Sequence, residues 1–166
     1  MEVNYFGVLN VNSVFLRKLR ENEKSLVLIT SSVAGLLPIP FQSHYSSSKY
    51  ALEAYGEALA MEGKPFGIRV CIVEPGDTKT GFTKNRMHHE PESSPYFESC
   101  VRAVTKMEKD EQQGKAPETV ADEFLRQIIK KRPNVRIAVG AMYKVLCFLS
   151  RIMPYPVRQF ILSKMY

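Results

Sequence analysis

The chain has 166 residues, of which 45% are apolar and 24% are charged. This composition is typical of a globular domain and argues against disorder. Three cysteines without a CxxC pair predict neither a disulfide framework nor a zinc site, so no metal is expected. We expect a cytoplasmic protein, because no basic segment followed by a long apolar one begins the sequence and no apolar stretch is as long as a bilayer span.

The formal net charge of +6 is unevenly distributed along the chain. From Phe124 onward there are nine basic residues and no acid, whereas the remainder has 14 basic and 17 acidic residues. Aromatic and aliphatic residues are interspersed with the basic ones, a pattern that would allow peripheral contact with an anionic membrane surface. The simpler alternative is a solvated basic face on packed helices. Nucleic-acid binding is not expected, because no reader motif is present.

Hydrophobic periodicity predicts the elements of the first half. Apolar residues recur at helical spacing over 3–20, which predicts a helix, and the wholly apolar, β-rich segment 25–30 predicts a strand buried on both faces. A loop with two prolines follows. The next helix begins at Ser43 or Tyr45 and extends to about Met61, because this segment is rich in Ala, Leu and Glu.

The second half is predicted to continue the alternation of strands and helices. Its predicted elements are a buried strand over 68–74, a polar loop over 85–95, helices over 96–113 and 116–131, a strand over 135–140, and two short helices split at Pro154 and Pro156. Strands that alternate with helices indicate an α/β fold with a parallel sheet. In such sheets the ligand crevice lies beyond the carboxyl ends of the strands. The segments TSSVAG and EPGDTKT, rich in hydroxyls and glycine, follow the first two strands there.

Tyr45 and Lys49 stand one helical turn apart and therefore share a face of the second helix. Alone the pair is a weak signal, because chance supplies about 0.6 such pairs in a chain of this composition. Its chemistry is nevertheless suited to general acid/base catalysis. An ammonium about 4 Å away is worth about 4 kcal/mol at an effective dielectric constant of about 20, enough to lower a phenol pKa by up to about three units. Tyr45 is therefore a candidate general acid/base.

Four stretches in order, VNYFG, ITSSVAG, YSSSK and VEPGDTKT, resemble the short-chain dehydrogenase/reductase family and cover most of residues 2–83. The resemblance implies a Rossmann-like doubly wound parallel sheet. It also implies an oxidoreductase that transfers a hydride between NAD or NADP and an alcohol or ketone. By the same resemblance, helices 3–20 and 45–61 are expected to pair in a homo-oligomer.

The family's functional residues fall on particular positions of this sequence. By resemblance, Tyr45 is the general acid/base, Lys49 also holds the nicotinamide ribose, Ser32 donates a hydrogen bond to the substrate oxygen, and Asn4 positions a water that relays protons to Lys49. Taken singly, Ser32 could simply cap a loop and Asn4 could be a satisfied polar residue in a helix. The turn after the second strand resembles the family's nicotinamide-side turn, with the residues Pro75, Gly76, Thr78 and Thr80.

Other polar residues are given no catalytic role. Asp77, Lys79 and Lys84 are expected to be solvated charges. His88 and His89 are adjacent in a polar loop and are expected to be exposed rather than to bind a metal.

The Gly-rich turn with which the family's cofactor half begins has no counterpart in this sequence. No two of the nine glycines are separated by a single residue. We therefore expect 1–166 to be one partial domain, with a catalytic core at 1–83 and a substrate lid and C-terminal region at 84–166. A fragment of a longer enzyme, whose first strand has an unpaired edge, fits this pattern. A catalytically silent interaction module on the same fold is the alternative.

The segment 81–115 and the C-terminal region are where this family selects its substrate. Apolar residues in this segment are expected to line a pocket for a hydrophobic alcohol or ketone of steroid, retinoid or lipid type, and they are Phe82, Met87, Tyr96, Phe97 and Met107. The alternative is that these side chains simply pack a lid and core.

Overall fold

The computed structural model describes residues 1–22, 24–86 and 90–165. Three strands form one parallel sheet in the order β1 (Ser25–Thr30), β2 (Ile68–Pro75) and β3 (Arg136–Val139). In the register, Leu28 lies opposite Cys71 and Val73 lies opposite Ile137. The α/β fold class predicted from the alternating pattern is confirmed.

Six α-helices connect and cover the strands in the part of the chain that the structure describes. They are α1 (Gly7–Arg20), α2 (Ser43–Gly63), α3 (Phe97–Gln112), α4 (Pro117–Ile129), α5 (Ala141–Ile152) and α6 (Tyr155–Met165). A π-helical turn, Glu2–Phe6, leads into α1. The prediction that Pro156 separates the last two helices is wrong. Pro156 lies in the first turn of α6, where a backbone N–H has no partner within the helix.

Strand β1 is an edge strand in the described residues, with β2 on one side only. The prediction that it is buried on both faces is wrong. Ser25, Val27 and Ile29 are buried, whereas Leu26 and Leu28 on the other face are half-buried. The unpaired edge expected from the sequence is present.

Helices α1 and α2 pack on one face of the sheet, against Val27, Ile29 and Val70. A close approach between α2 and the sheet depends on Gly56, since a Cβ there would lie 2.6 Å from Ile72 Cδ1. On the other face, α4 packs against a separate core cluster formed by Cys71, Val73 and Val139. This arrangement fixes the N-terminal turns of α2 beside the carboxyl ends of β1 and β2.

Two absences apply to the described residues alone. None of their helices has both the length and the hydropathy that crossing a membrane requires. Nor do three or more His, Cys, Asp or Glu side chains among them form a group able to hold a metal ion.

Candidate active site

A cavity of about 1260 Å³ opens where β1 and β2 end. The four residues with predicted catalytic roles all line it, together with the whole set assigned to the nicotinamide-side turn. They are Asn4, Ser32, Tyr45, Lys49, Pro75, Gly76, Thr78 and Thr80. Residues up to 76 positions apart in sequence are thus brought to one crevice, and their chemical roles stay predictions.

Ser32 lies between the end of β1 and a short 3₁₀ helix, Val33–Gly35. Its Oγ accepts a hydrogen bond from Ala34 N at 3.1 Å and lies 3.4 Å from the carbonyl oxygen of Pro75. The capping role that the sequence left open is therefore present. Ser32 also hydrogen-bonds to the Tyr45 side chain and in doing so opposes a rise in the phenol's pKa. Capping and contact with Tyr45 coexist in one side chain.

Burial raises the pKa of the Tyr45 phenol above its ordinary value. The hydrogen bond with Ser32 lowers this pKa, the charge of Glu111 raises it, and the charge of Arg86 lowers it. The ring of Phe82 packs against Tyr45, with centroids 5.7 Å apart. The prediction that the pKa of Tyr45 is lowered is wrong for this structure, because removal of the phenolate from water dominates.

Lys49 is turned toward the end of β1. Its Nζ donates to the carbonyl oxygen of Thr30 at 3.1 Å and lies 5.7 Å from the centroid of the Tyr45 ring. Burial lowers the pKa of Lys49, and the carboxylate of Glu53 opposes this change. The ammonium is therefore near the ring of Tyr45.

Asn4 reaches α2 through a residue that the sequence reasoning missed. Its Nδ2 donates to Ser48 Oγ at 3.1 Å, and this hydroxyl donates to the carbonyl oxygen of Tyr45 at 2.7 Å. Ser48 is 1% exposed. Asn4 thus fixes the turn of α2 that carries both Tyr45 and Lys49. A small hydroxyl residue directly before Lys49 in YSSSK was the available signal.

The turn after β2 is held by its own hydroxyls and by α5. Thr78 Oγ1 donates to the carbonyl oxygen of Gly76 at 2.9 Å, and Thr80 Oγ1 accepts from Phe82 N at 3.2 Å. Tyr143 accepts from Asp77 N at 3.1 Å and donates its hydroxyl proton to the Asp77 carboxylate.

Asp77 is half-buried, and burial raises its pKa, so the prediction of a solvated charge is wrong. The prediction missed the contact of Asp77 with Tyr143, because no local sequence pattern indicates that these two residues meet. Lys79 and Lys84 are exposed, as expected.

Backbone hydrogen bonds also join this turn to the segment before α4. Lys79 N donates to the carbonyl oxygen of Lys115 at 2.9 Å, and Lys115 N donates to that of Asp77 at 3.1 Å. A Cβ on Gly114 would lie 2.5 Å from the backbone carbonyl of Asp77. The two backbones therefore touch, and only glycine permits this contact.

Apolar side chains from the last three helices form a second part of the cavity lining. They are Val120 and Phe124 of α4, Met142, Tyr143 and Leu146 of α5, and Leu162 and Met165 of α6. Of the residues predicted from segment 81–115, Phe82 lines the cavity. Tyr96, Phe97 and Met107 do not line it, because Tyr96 is 66% exposed and Met107 is buried within α3. Met87, His88 and His89 lie outside the described residues.

The fold and the crevice define an α/β protein of the Rossmann-like class, with tyrosine, lysine and serine gathered at the carboxyl ends of parallel strands. The short chain dehydrogenase family model matches residues 1–91. The chain belongs to this family.

One relative is a 3-ketodihydrosphingosine reductase of Bacteroides thetaiotaomicron. It is 38% identical over 148 residues, which are 88% of this chain and 55% of the relative. A short-chain dehydrogenase structure from Streptomyces avermitilis has a TM-score of 0.74 at 28% identity and covers 98% of this chain and 57% of that one. The chain therefore spans a little over half the length of these relatives.

Two further solved structures were determined with nicotinamide cofactors. One is a short-chain dehydrogenase from Burkholderia cenocepacia in complex with NADP, with a TM-score of 0.71, 21% identity, and coverage of 99% of this chain and 56% of that one. The other, from Burkholderia phymatum in complex with NAD, has a TM-score of 0.73, 24% identity, and coverage of 89% and 54%. At these identities the likeness establishes the shared fold.

Proposed function

We propose that this chain is the catalytic portion of an NAD(P)-dependent oxidoreductase that interconverts a hydrophobic alcohol and ketone. The observation that carries the proposal is the convergence of Asn4, Ser32, Tyr45 and Lys49 on one cavity that apolar side chains of the last three helices also line. Family membership supports the reaction class. The apolar lining supports a substrate that is mostly hydrocarbon.

In the proposed mechanism, a bound nicotinamide supplies or accepts the hydride. Tyr45 exchanges a proton with the substrate oxygen, and a raised phenol pKa favours its protonated form, the one that donates in the reduction of a ketone. Ser32 donates a hydrogen bond to that oxygen as charge develops on it. Lys49 binds the ribose hydroxyls, and Asn4 orders a water that returns protons toward Lys49.

The residues present fit the nicotinamide end of such a cofactor. Lys49 has ammonium protons beyond the one donated to Thr30, and the turn at Gly76 and Thr78 lines the same cavity. The pyrophosphate end would need the Gly-rich turn that this sequence lacks. The preference for NAD or NADP is therefore left open in this proposal.

Among hydrophobic substrates we favour a lipid-type ketone with a long chain. Leu146, Leu162 and Met165 line the cavity, and their apolar side chains suit a hydrocarbon tail. The name of the Bacteroides relative, a 3-ketodihydrosphingosine reductase, supports the same class. Steroid and retinoid ketones are the alternative substrates, and they should be tested beside the long-chain ketone.

The test uses a chimera in which the N-terminal cofactor segment of the Bacteroides reductase precedes this chain. Tyr45→Phe should lower turnover of a long-chain ketone by about 10²- to 10⁴-fold, the usual contribution of a positioned general acid. Binding of the reduced cofactor, followed by fluorescence, should change little. Tyr96→Phe is the matched control, since Tyr96 is exposed and outside the cavity lining. Turnover retained by Tyr45→Phe would falsify the catalytic role.

A second candidate function is a catalytically silent module that docks on an anionic membrane surface through α5 and α6. Exposed apolar side chains on these helices include Val145, Phe148, Ile152 and Phe160. The basic residues Lys144, Arg151, Arg158 and Lys164 lie on the same two helices, which carry no acid. This combination is typical of segments that lie in a membrane interface.

Co-sedimentation with vesicles tests this second candidate. The chain should bind vesicles containing phosphatidylserine, and binding should fall at high salt because exposed charges are screened. Phe148→Ser should weaken binding to the vesicles. Tyr96→Ser, at the residue directly before α3, should leave binding unchanged. No sedimentation with anionic vesicles at low salt would remove this candidate.

A homo-oligomer is proposed as well, through the helices that the family resemblance indicates. Exposed Val11, Val14 and Phe15 on α1 and Met61 on α2 support it, because each is more than half exposed. Light scattering after size exclusion should give a mass of at least twice 18.9 kDa, and a monomer at micromolar concentration would contradict it.

A further inference from the structure

Two buried glutamates lie directly behind the candidate site. Glu53 is on α2, four residues after Lys49, and Glu74 is near the end of β2. Arg136 contacts both carboxylates, with Nη2 at 2.8 Å from Glu53 Oε2 and Nε at 2.9 Å from Glu74 Oε1. Nη2 also lies 2.9 Å from Glu57 Oε1. The side chains of Glu53 and Glu74 are 5% and 1% exposed, so water contributes little to their solvation.

One guanidinium thus faces two buried carboxyls. Burial raises the pKa of both, and that of Glu74 reaches about 8, with the neighbouring charge of Glu53 as the second cause. Like charges this close do not both ionise readily in a site of low dielectric. Near neutral pH the pair therefore retains one proton, and the remaining negative charge is balanced by Arg136.

The Glu53 side chain lies beside Gly35, in the short 3₁₀ helix that follows Ser32. A Cβ added at Gly35 would lie 2.9 Å from Ser31 Oγ, 3.0 Å from Glu53 Cγ and 3.1 Å from the carbonyl oxygen of Lys49, so these three groups surround one position. The nearby Ser31 hydroxyl lowers the pKa of Glu53, and the Glu53 carboxylate raises the pKa of Lys49. Ser31 N also donates to the carbonyl oxygen of Val73 at 2.8 Å. Glu53 is therefore coupled to both the serine turn and the lysine.

We propose that Glu53 is a positioning residue that acts through Ser31 and Lys49, with Glu74 and Arg136 setting how much negative charge it holds. This role rests on the proposed function, in which Lys49 binds the cofactor. The remaining ionisable groups that act on the cluster come from four elements and are included in the pH analysis: Tyr50 and Glu57 of α2, Cys71 of β2, Cys147 and Arg151 of α5, and Arg158 of α6.

The test measures the titration of Lys49 itself, by NMR of the 166-residue chain labelled with ¹³C at lysine Cε. Lys49→Arg identifies the resonance. Glu53→Gln should move the midpoint of Lys49 to lower pH, because a carboxylate that stabilises the ammonium is removed. Glu57→Gln is the matched control, since Glu57 also contacts Arg136 but its side chain is 51% exposed. In the control the midpoint should stay in place.

Glu74→Gln supplies a prediction of opposite sign. With its competitor neutral, Glu53 ionises more fully, and the Lys49 midpoint should move to higher pH. Should Glu53→Gln fail to fold, this variant alone decides, because a purely structural role gives no upward shift. An unchanged midpoint in Glu74→Gln, or equal shifts in the Glu53 and Glu57 variants, overturns the proposal.

The outcome is separable from that of the proposed function. If the chimera has no turnover while the two Lys49 shifts have the expected signs, the coupling stands and the oxidoreductase proposal fails. If turnover is present but Lys49 does not respond to Glu53, the positioning role fails alone. Where both hold, Glu53→Gln should lower kcat/KM in the chimera about ten-fold, mainly through the KM for the cofactor.

Discussion

The two sides of the cavity are held by different forces. On the sheet side, Ser32, Tyr45 and Lys49 rest on hydrogen bonds and on the buried ion pairs of Arg136. On the helical side, α4, α5 and α6 contribute mainly apolar packing. Ion pairs fix positions and charge states, whereas apolar packing sets volume and tolerates exchange of side chains. We infer that the sheet side keeps the chemistry constant and the helical side determines which substrate fits.

The largest expected effect breaks the sheet side. Arg136→Met leaves Glu53 and Glu74 buried without their guanidinium, and loss of one partner of a buried ion pair costs about 3–5 kcal/mol. Urea unfolding at pH 7 measures the change. Lys18→Met is the control, because Lys18 pairs with Glu21 and these side chains are 74% and 54% exposed, and such pairs are worth about 1 kcal/mol or less. Equal losses in both variants would contradict the contrast between buried and surface pairs.

A smaller effect is expected on the helical side. Leu146→Ala should reduce kcat/KM for a long-chain ketone in the chimera about ten-fold, since loss of apolar contact in a pocket is worth about 1–3 kcal/mol. A short ketone, which does not reach Leu146, should be reduced at an unchanged rate. Leu149→Ala is the control, because Leu149 is on the same helix, 40% exposed and outside the cavity lining. Equal losses for short and long ketones would show a general defect of the site.

A third expected effect concerns how the free energy of unfolding depends on pH. The pKa of Glu74 is about 8 in the folded chain against an ordinary value of 4.5, so the folded state binds this proton more tightly than the unfolded state. Its contribution is present in full below about pH 4.5 and is lost as the pH rises toward 8. Glu74→Gln should therefore flatten the fall in the free energy of unfolding between these values. Urea unfolding at several pH values measures how the free energy of unfolding changes with pH. If this change is the same in Glu74→Gln, it arises from other titratable groups.

Much of this molecule could be predicted from local patterns. The helices and strands follow from periodicity. The resemblance of four motifs to a known family pointed to Asn4, Ser32, Tyr45 and Lys49, which line one cavity and whose roles stay predictions. Long-range polar partners could not be predicted in this way. Tyr143 lies 66 positions from Asp77, and Arg136 lies 62 positions from Glu74. Nothing in either segment alone indicates which pair will meet.

The direction of the Tyr45 pKa shift was missed for a similar reason. The sequence shows that Lys49 follows one turn later, but it does not show how much water the surrounding residues exclude. Phe82 covers the phenol, and Lys49 is turned toward Thr30. The balance between desolvation and charge depends on these tertiary contacts. Similarly, the alternating burial of β1 reflects which neighbours cover each face, and a uniformly apolar strand carries no such information.

The backbone hydrogen bonds that join the turn at Asp77 to Lys115 constrain how the cavity can open. Because Gly114 leaves no gap at this contact, the turn after β2 and the start of α4 should move as a single rigid unit. A motion that admits a bulky substrate must then bend elsewhere. Gly140 joins β3 to α5 and has a φ of +101°, a backbone conformation that few residues other than glycine adopt. This glycine is a position at which the backbone could bend. Because Tyr143 of α5 hydrogen-bonds to Asp77 of this same turn, movement of α5 about Gly140 requires that these two hydrogen bonds break first.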